Sequence, residues 1–454
     1  MRLNCIRFAS ILILSLVAGL AQASDAIEIP LNYVSYPAKR TPTFLPLRAS
    51  EMEVLVTAPP GNWKLPELKS KNPVYALVKL GDTERLAIFD RINSEDQFFT
   101  RVHLDINANG DLTDDAPLDQ IFGRAVENAF YQANFSRTDF TYRIGEKILP
   151  NNINFKAVFY IDPSRANQGF TRETLKNNLN LTCWIHACYE FKLNLGADTW
   201  NGLLYDVTGN GLYNDVPVFP ENLKDLNGPV YPESDEVYLA RNRKCIADDA
   251  IPLGSQLLIR GTLYNVSVCL PVGKMILTPR TDNLVPVRLP VETDKLMLYD
   301  EASKHSISMV LPELCVNIPA GRYIPAQYSL LRREPDGPQW RLSAFCSSQT
   351  PALEINNAES AVLKYGEPFG ASILVLPWTC SAFVAGEIQH ISIDMQSHGA
   401  GLEIVTDLSC LAVPGEKPSR IPLSMRSPSR SREAVFTISE PDGRIVKQGT
   451  FEYG

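Results

Sequence analysis

Asp105, Asn107 and Asn109 put an oxygen-bearing side chain at every second position, and Gly110 follows where the chain must turn sharply. Asp111, Asp114 and Asp115 complete the stretch DINANGDLTDD. This is donor chemistry for a hard divalent cation. Calcium takes about six to eight oxygens, and one loop can supply them only if short carboxylates and carboxamides recur at alternate positions. Asp111, at the seventh position, would offer its backbone carbonyl, and Asp114 or Asp115 would close the ring. Ordinary turns also use Asx and Gly residues, so a single loop of this kind decides little.

A second stretch, DVTGNGLYNDV, aligns with the first without a gap. Asp206, Thr208 and Asn210 take the alternate positions, Gly211 the turn, Leu212 the backbone-carbonyl position and Asp215 the closing acid. In both loops the closing acid stands nine residues after the first, 105 to 114 and 206 to 215. A plain turn does not predict the recurrence of a spaced ligand set, so Ca2+ is the expected ligand of both. The first half of each loop follows the EF-hand pattern, but position 12 of the first is Ala116, where a bidentate acid would normally stand. The residues leading in, 100–104 and 203–205, alternate like strands. The loops therefore resemble the shortened calcium loops of dockerin or thrombospondin repeats more than a helix-loop-helix sensor.

The elements that must hold such loops are strands. With 33 prolines, 26 glycines and short period-2 runs at 75–80, 101–104, 257–268 and 392–395, the chain reads as mainly β: several small β-sheet or sandwich domains in series, with few short helices. The best helical segment is 171–178, capped by Thr171. Two Pro-Asp-Gly turns should close hairpins, Pro335-Asp336-Gly337 joining 327–332 to 339–345 and Pro441-Asp442-Gly443 joining 434–439 to 444–451. Composition places domains at 24–145, 146–235, 236–350 and 353–454, the first two each carrying one calcium-type loop and the last an immunoglobulin-like sandwich.

Residues 1–23 read as a signal peptide: Arg2 and Arg7 precede an apolar run from Ile11 to Leu20 and the small-residue site Ala21-Gln22-Ala23. An exported protein, in the periplasm, cell envelope or extracellular space, is expected, with no membrane span in the mature chain. Removing the peptide takes away two arginines and no acid, so the formal charge moves from −8 to −10. That balance argues against nucleic acid and anionic membranes as partners. Cys5 leaves too, and the eight remaining cysteines suggest disulfides between sequence neighbours: Cys183–Cys188, Cys245–Cys269, Cys315–Cys346 and Cys380–Cys410. No zinc-finger spacing is present.

Several phrases together resemble a family of uncharacterised exported bacterial β proteins: the two loops, IRGTLYNVSV at 259–268, IPAGRYIPAQYSL at 318–330 and the terminal GTFEYG. The resemblance implies an all-β, multi-domain, secreted architecture with a C-terminal sandwich, and no activity. In that family another acidic loop often precedes the RGTLY hairpin, whereas here 239–243 is basic, which speaks against a third calcium site.

For catalysis the residues offer little. His103, His186, His305, His390 and His398 are scattered, and no HExxH helix, GxSxG elbow, P-loop or dinucleotide fingerprint occurs. The expectation is a secreted, calcium-stabilised, non-enzymatic protein with an interaction or scaffolding role, whose partners would be a glycan or another envelope protein. The rival is a secreted glycan-acting hydrolase, with its two carboxylates hidden among many acids and the C-terminal sandwich as an accessory module.

Overall fold

The computed structural model describes residues 26–36, 49–126, 130–160, 170–219, 229–246, 249–270, 272–333, 339–356, 361–375, 393–412, 435–439 and 442–450. Within these the chain is mainly β, with one helix, Arg172–Asn178. The helix starts where expected because the Thr171 hydroxyl accepts the Thr174 N–H at 3.1 Å, and Glu173 lies in its first turn. No helix among the described residues is long and apolar enough to cross a membrane.

Three sheets matter for the loops and their surroundings. A nine-stranded sheet runs from Ala49–Met52 through Leu179–Ile185, Lys147–Tyr160, Phe130–Phe135, Leu118–Val126, Arg101–Leu104 and Thr83–Asp90 to Val74–Leu80, with Thr138–Ile144 also paired to Lys147–Tyr160. A five-stranded sheet holds Ala250–Pro252, Glu236–Arg241, Asp198–Tyr205, Ala187–Leu195 and Asn32–Ser35 in that order. A twelve-stranded sheet takes in most of the later strands. Strand pairing crosses the boundaries drawn from composition. Ile27–Pro30 pairs with Lys274–Pro279, and Gln339–Phe345 pairs with Ile404–Ala412. The described C-terminal strands thus extend the large sheet, apart from Ala361–Val362, which pairs with Leu284–Arg288 in a three-stranded sheet, and the hairpin Val435–Ser439 with Ile445–Thr450.

Both expected hairpins pair in the expected register. Gln327–Phe345 and Arg333–Gln339 face each other across the first, and Gly443 of the second takes a left-handed φ of 87°. The turn residues Pro335 to Gly337 lie outside the described residues, as do the signal-type segment, Trp378 and Cys380.

The chain changes sheets at His186. Leu179–Ile185 belongs to the nine-stranded sheet and Ala187–Leu195 to the five-stranded one, while the His186 N–H donates to the Asn152 carbonyl and its carbonyl accepts from Tyr36. The imidazole is buried against Asn154, with Nε2 2.6 Å from Oδ1, and burial pushes its pKa down to about 4. This is a structural, neutral histidine.

Three of the four expected disulfides are absent, the first of them because of this corner, and Cys380 of the fourth, Cys380–Cys410, lies outside the described residues. Cys183, Cys188, Cys245, Cys269, Cys315 and Cys346 are all free thiols. Cys183 packs into the main core, and Cys188, beyond the corner, into a separate cluster with Cys245, Leu203, Tyr205, Tyr238 and Ala240. Cys315 is exposed on a three-stranded sheet while Cys346 is buried beneath Tyr299 and Ile324. Nearness in sequence does not make two thiols face each other when strands alternate and change sheets.

The main core binds the sheets together through residues such as Phe89, Phe155, Tyr189, Phe191, Trp200 and Leu277. Gly202 shows how closely they pack. A Cβ there would lie 2.1 Å from Cζ of Phe191, whose ring covers the glycine from the neighbouring strand. Gly202→Ala is therefore expected to cost about 1–3 kcal/mol by overpacking; an unchanged denaturant midpoint would contradict this account.

Candidate metal centre

The first loop leaves the strand Arg101–Leu104, whose pairing to Thr83–Asp90 continues into a bond from the Asp105 N–H to the Leu86 carbonyl at 3.0 Å. That anchors Asp105 with its side chain 1 % exposed. Its Oδ1 accepts the Asn109 N–H and its Oδ2 the Gly110 N–H, each at 3.1 Å. Asn107 Oδ1 accepts the Asn109 N–H at 3.0 Å, and Asn109 Oδ1 accepts the Asp111 N–H at 2.7 Å. Their carboxamide nitrogens then converge on Asp114, Asn109 Nδ2 at 2.8 Å and Asn107 Nδ2 at 3.4 Å. Asp115 Oδ2 accepts the Ile106 N–H at 2.8 Å. The structure thus brings Asp105, Asn107, Asn109, Asp114 and Asp115 into one ring. The Asp111 carboxylate turns outward instead: Lys64 reaches it at 2.6 Å, and with Thr113 lowers its pKa to about 2.

The second loop leaves Asp198–Tyr205 and repeats this shape. Gly209 and Gly211 have φ of 70° and 79°, where Ala108 and Gly110 have 57° and 80°. Asp206, 2 % exposed, accepts the Gly209 N–H on Oδ1 at 2.6 Å and the Gly211 N–H on Oδ2 at 2.7 Å. Asn210 Oδ1 accepts the Leu212 N–H at 2.6 Å. Thr208 Oγ1 and Asn210 Nδ2 donate to Asp215 Oδ2 at 2.5 and 2.6 Å. Gly211 admits no side chain: besides its left-handed φ, a Cβ would lie 2.8 Å from both the Gly81 nitrogen and the Tyr142 ring.

Where the first loop has Asp115, the second has Val216. The missing acid arrives from elsewhere. Asp235, just before the strand Glu236–Arg241, accepts the Val207 N–H on Oδ1 at 3.0 Å, as Asp115 accepts the N–H of Ile106 at the equivalent second position. Its Oδ2 accepts the Asp215 N–H at 2.8 Å, and its own N–H donates to the Asp215 carbonyl at 3.0 Å. Sequence reading missed it, since no ligand-spacing rule reaches from Asp215 to Asp235. The only signal was the acidic run Glu233-Ser234-Asp235-Glu236.

Charge separates the two loops. In the first, Lys64 pairs with Asp111 and the buried Arg85 donates to the Ile106 and Thr141 carbonyls with its charge near Asp105 and Asp115. In the second, no salt bridge reaches Asp206, Asp215 or Asp235 among the described residues. Burial pushes the carboxyls of Asp206 and Asp235 up, and the charge of Asp206 adds to the rise at Asp235. Buried carboxylates without a counter-charge are costly unless a cation or protons join them.

The donors fit a hard cation by type, being carboxylate, carboxamide, hydroxyl and carbonyl oxygens with no sulfur or imidazole. Among the described residues no three His, Cys, Asp or Glu side chains converge as a ready metal cluster. In both loops the groups at positions 3 and 5 direct N–H or O–H toward the closing acid. Turning the Asn107, Asn109 and Asn210 carboxamides over would put Oδ1 there instead, at the cost of the bonds that these oxygens now accept from the Asn109, Asp111 and Leu212 N–H groups.

One hairpin touches both loops. Arg85 of Thr83–Asp90 reaches the first, and the turn residue Gly81 donates its N–H to the Asn210 carbonyl of the second at 2.6 Å. The chain matches no protein-family model, and comparison with curated proteins and with solved structures gives no match either, so the loops themselves must carry the functional reading.

Proposed function

We propose that the two loops are calcium staples of an exported, non-enzymatic β protein whose role is interaction or scaffolding outside the cytoplasm. The observation that carries this reading is the second loop, where the buried Asp206 and Asp235 and the closing acid Asp215 are gathered with no basic partner among the described residues. Asp105, Asn107, Asn109, Asp114 and Asp115 would hold one ion, with the Asp111 carbonyl. Asp206, Thr208, Asn210, Asp215 and Asp235 would hold the other, with the Leu212 carbonyl. Bound calcium would supply the positive charge that the second ring lacks and add to that of Arg85 at the first. Outside the cell, where calcium is near millimolar, sites with Kd on the order of 10⁻⁴ to 10⁻³ M stay filled. Because both rings close on one hairpin, filling them would stiffen the junction of the nine- and five-stranded sheets.

Calorimetric titration tests the reading. Two calcium ions per chain are expected, falling to one in Asp105→Ala and one in Asp206→Ala. Absence of calcium uptake at millimolar concentration would leave two acidic turns and remove the basis for the proposal.

A further inference from the structure

The five-stranded sheet has a second face that the loops do not use. Along Ala187–Leu195, Tyr189, Phe191 and Leu193 point into the main core, so Glu190 and Lys192 point the other way. Register places Leu203 opposite Glu190 and Asn201 opposite Lys192 on the neighbouring strand. These four side chains form the floor of a cavity of about 840 Å³. That is within the range of small-molecule sites, roughly 300–1,000 Å³.

Two walls are tied to this floor. Tyr36 donates its hydroxyl to Glu190 Oε1 at 2.9 Å. On the other side Asn201 Nδ2 donates to the Arg243 carbonyl at 2.8 Å and the Cys245 thiol to the Asn201 carbonyl at 3.1 Å, which holds Lys244 at the rim.

The charges here are selective. Arg241 and Arg260 pair with Asp198, and Arg243 with Asp249. Among the described residues Lys192 and Lys244 have no ion-pair partner, and both line the cavity of a chain whose net charge is −8. Positions two apart on one strand lie about 7 Å from each other, so Glu190 and Lys192 rise side by side from the same face of the strand.

We infer that this cavity binds an acidic saccharide unit, its carboxylate between Lys192 and Lys244, a hydroxyl on Glu190 and its apolar face on Leu203. Glu190 disfavours a second negative charge beside the lysines, which selects a hydroxylated monoanion over phosphate. Asn201, with Nδ2 engaged by Arg243, offers Oδ1 to another hydroxyl. None of these residues belongs to either calcium loop, so the inference stands apart from the calcium reading.

Titration of the full chain at constant calcium with D-glucuronate, D-glucose and inorganic phosphate tests it. Glucuronate is expected to bind at least tenfold more tightly than glucose or phosphate. Lys192→Ala and Lys244→Ala should each weaken it about tenfold, near 1.4 kcal/mol. Lys192→Arg and Lys244→Arg should retain most of the affinity, which separates loss of charge from loss of fold. Absence of glucuronate binding, equal binding of glucose, or affinity indifferent to both lysines would overturn the assignment. Phosphate binding as tight as glucuronate, and lost with the same lysines, would make this a plain anion site and overturn the saccharide class.

Discussion

Asp235→Asn is expected to raise the melting temperature in chelator and to lower it, relative to the parent chain, in calcium. The two signs have separate causes. Without a cation, Asp235 is fully buried beside Asp206 and Asp215, and burial with the charge of Asp206 disfavours its ionised form. Asparagine keeps Oδ1 for the Val207 N–H and removes the charge, while its Nδ2 faces the Asp215 N–H that Oδ2 accepts, a loss of about 1–3 kcal/mol. Relief of a buried, uncompensated carboxylate, about 3–5 kcal/mol, exceeds that loss. With calcium present the parent gains the binding energy, about 1.4–2.7 kcal/mol at 10–100 times Kd, and the variant loses much of it. In a chain of this size about 1 kcal/mol moves the midpoint by roughly 1 °C. The curves should therefore cross as calcium is added. Parallel curves, with the variant more stable throughout, would mean that Asp235 never meets a cation.

Glu403→Gln is the second large effect, and it is expected to grow with pH. Glu403 sits at the end of the hairpin between Ile393–His398 and Ile404–Ala412, fully buried. Its Oε2 accepts the Gly401 N–H at 3.1 Å, while Oε1 and the nearby Tyr328 hydroxyl have no hydrogen-bond partner among the described residues. Burial raises its pKa above the ordinary glutamate value. The sign follows from linkage: below the unfolded pKa of about 4.3 both states hold the proton and no penalty exists. As pH rises the unfolded chain releases its proton first, so stability falls until the folded pKa is passed. The groups facing Glu403, Tyr328, Tyr365 and Cys346, are themselves pushed up by burial and stay protonated across this window. Glutamine removes the penalty, giving a gain of about 1–3 kcal/mol near pH 8 and almost none near pH 4. Denaturation midpoints at both pH values decide; a gain independent of pH would point to packing instead of charge.

Much of the first loop was legible in sequence because its oxygen donors are local. Asp105 to Asp115 lie on one stretch of chain, so alternate spacing and Gly110 predict both the turn and the ring. The hairpins at the two Pro-Asp-Gly turns and the helix capped by Thr171 were legible for the same reason: each rests on a hydrogen bond or a φ value set within a few residues. The disulfide expectation failed because a thiol's partner depends on which face and which sheet a strand occupies. Cys183 and Cys188 are five positions apart, yet the change of sheet at His186 puts them in different clusters.

By itself the sequence determined a β protein, the sharp turns at Gly110, Gly211 and Gly443, and two loops rich in hard oxygen donors. All follow from local periodicity, from turn chemistry and from residue types that stay side by side in any fold. Only the tertiary structure decided that Asp235 stands in for the acid absent at Val216, that Arg85 compensates one ring and no base the other, and that Lys192 and Lys244 face a shared cavity. These depend on strand register and sheet order, which arise from burying one face of every strand at once and leave no fixed spacing along the chain.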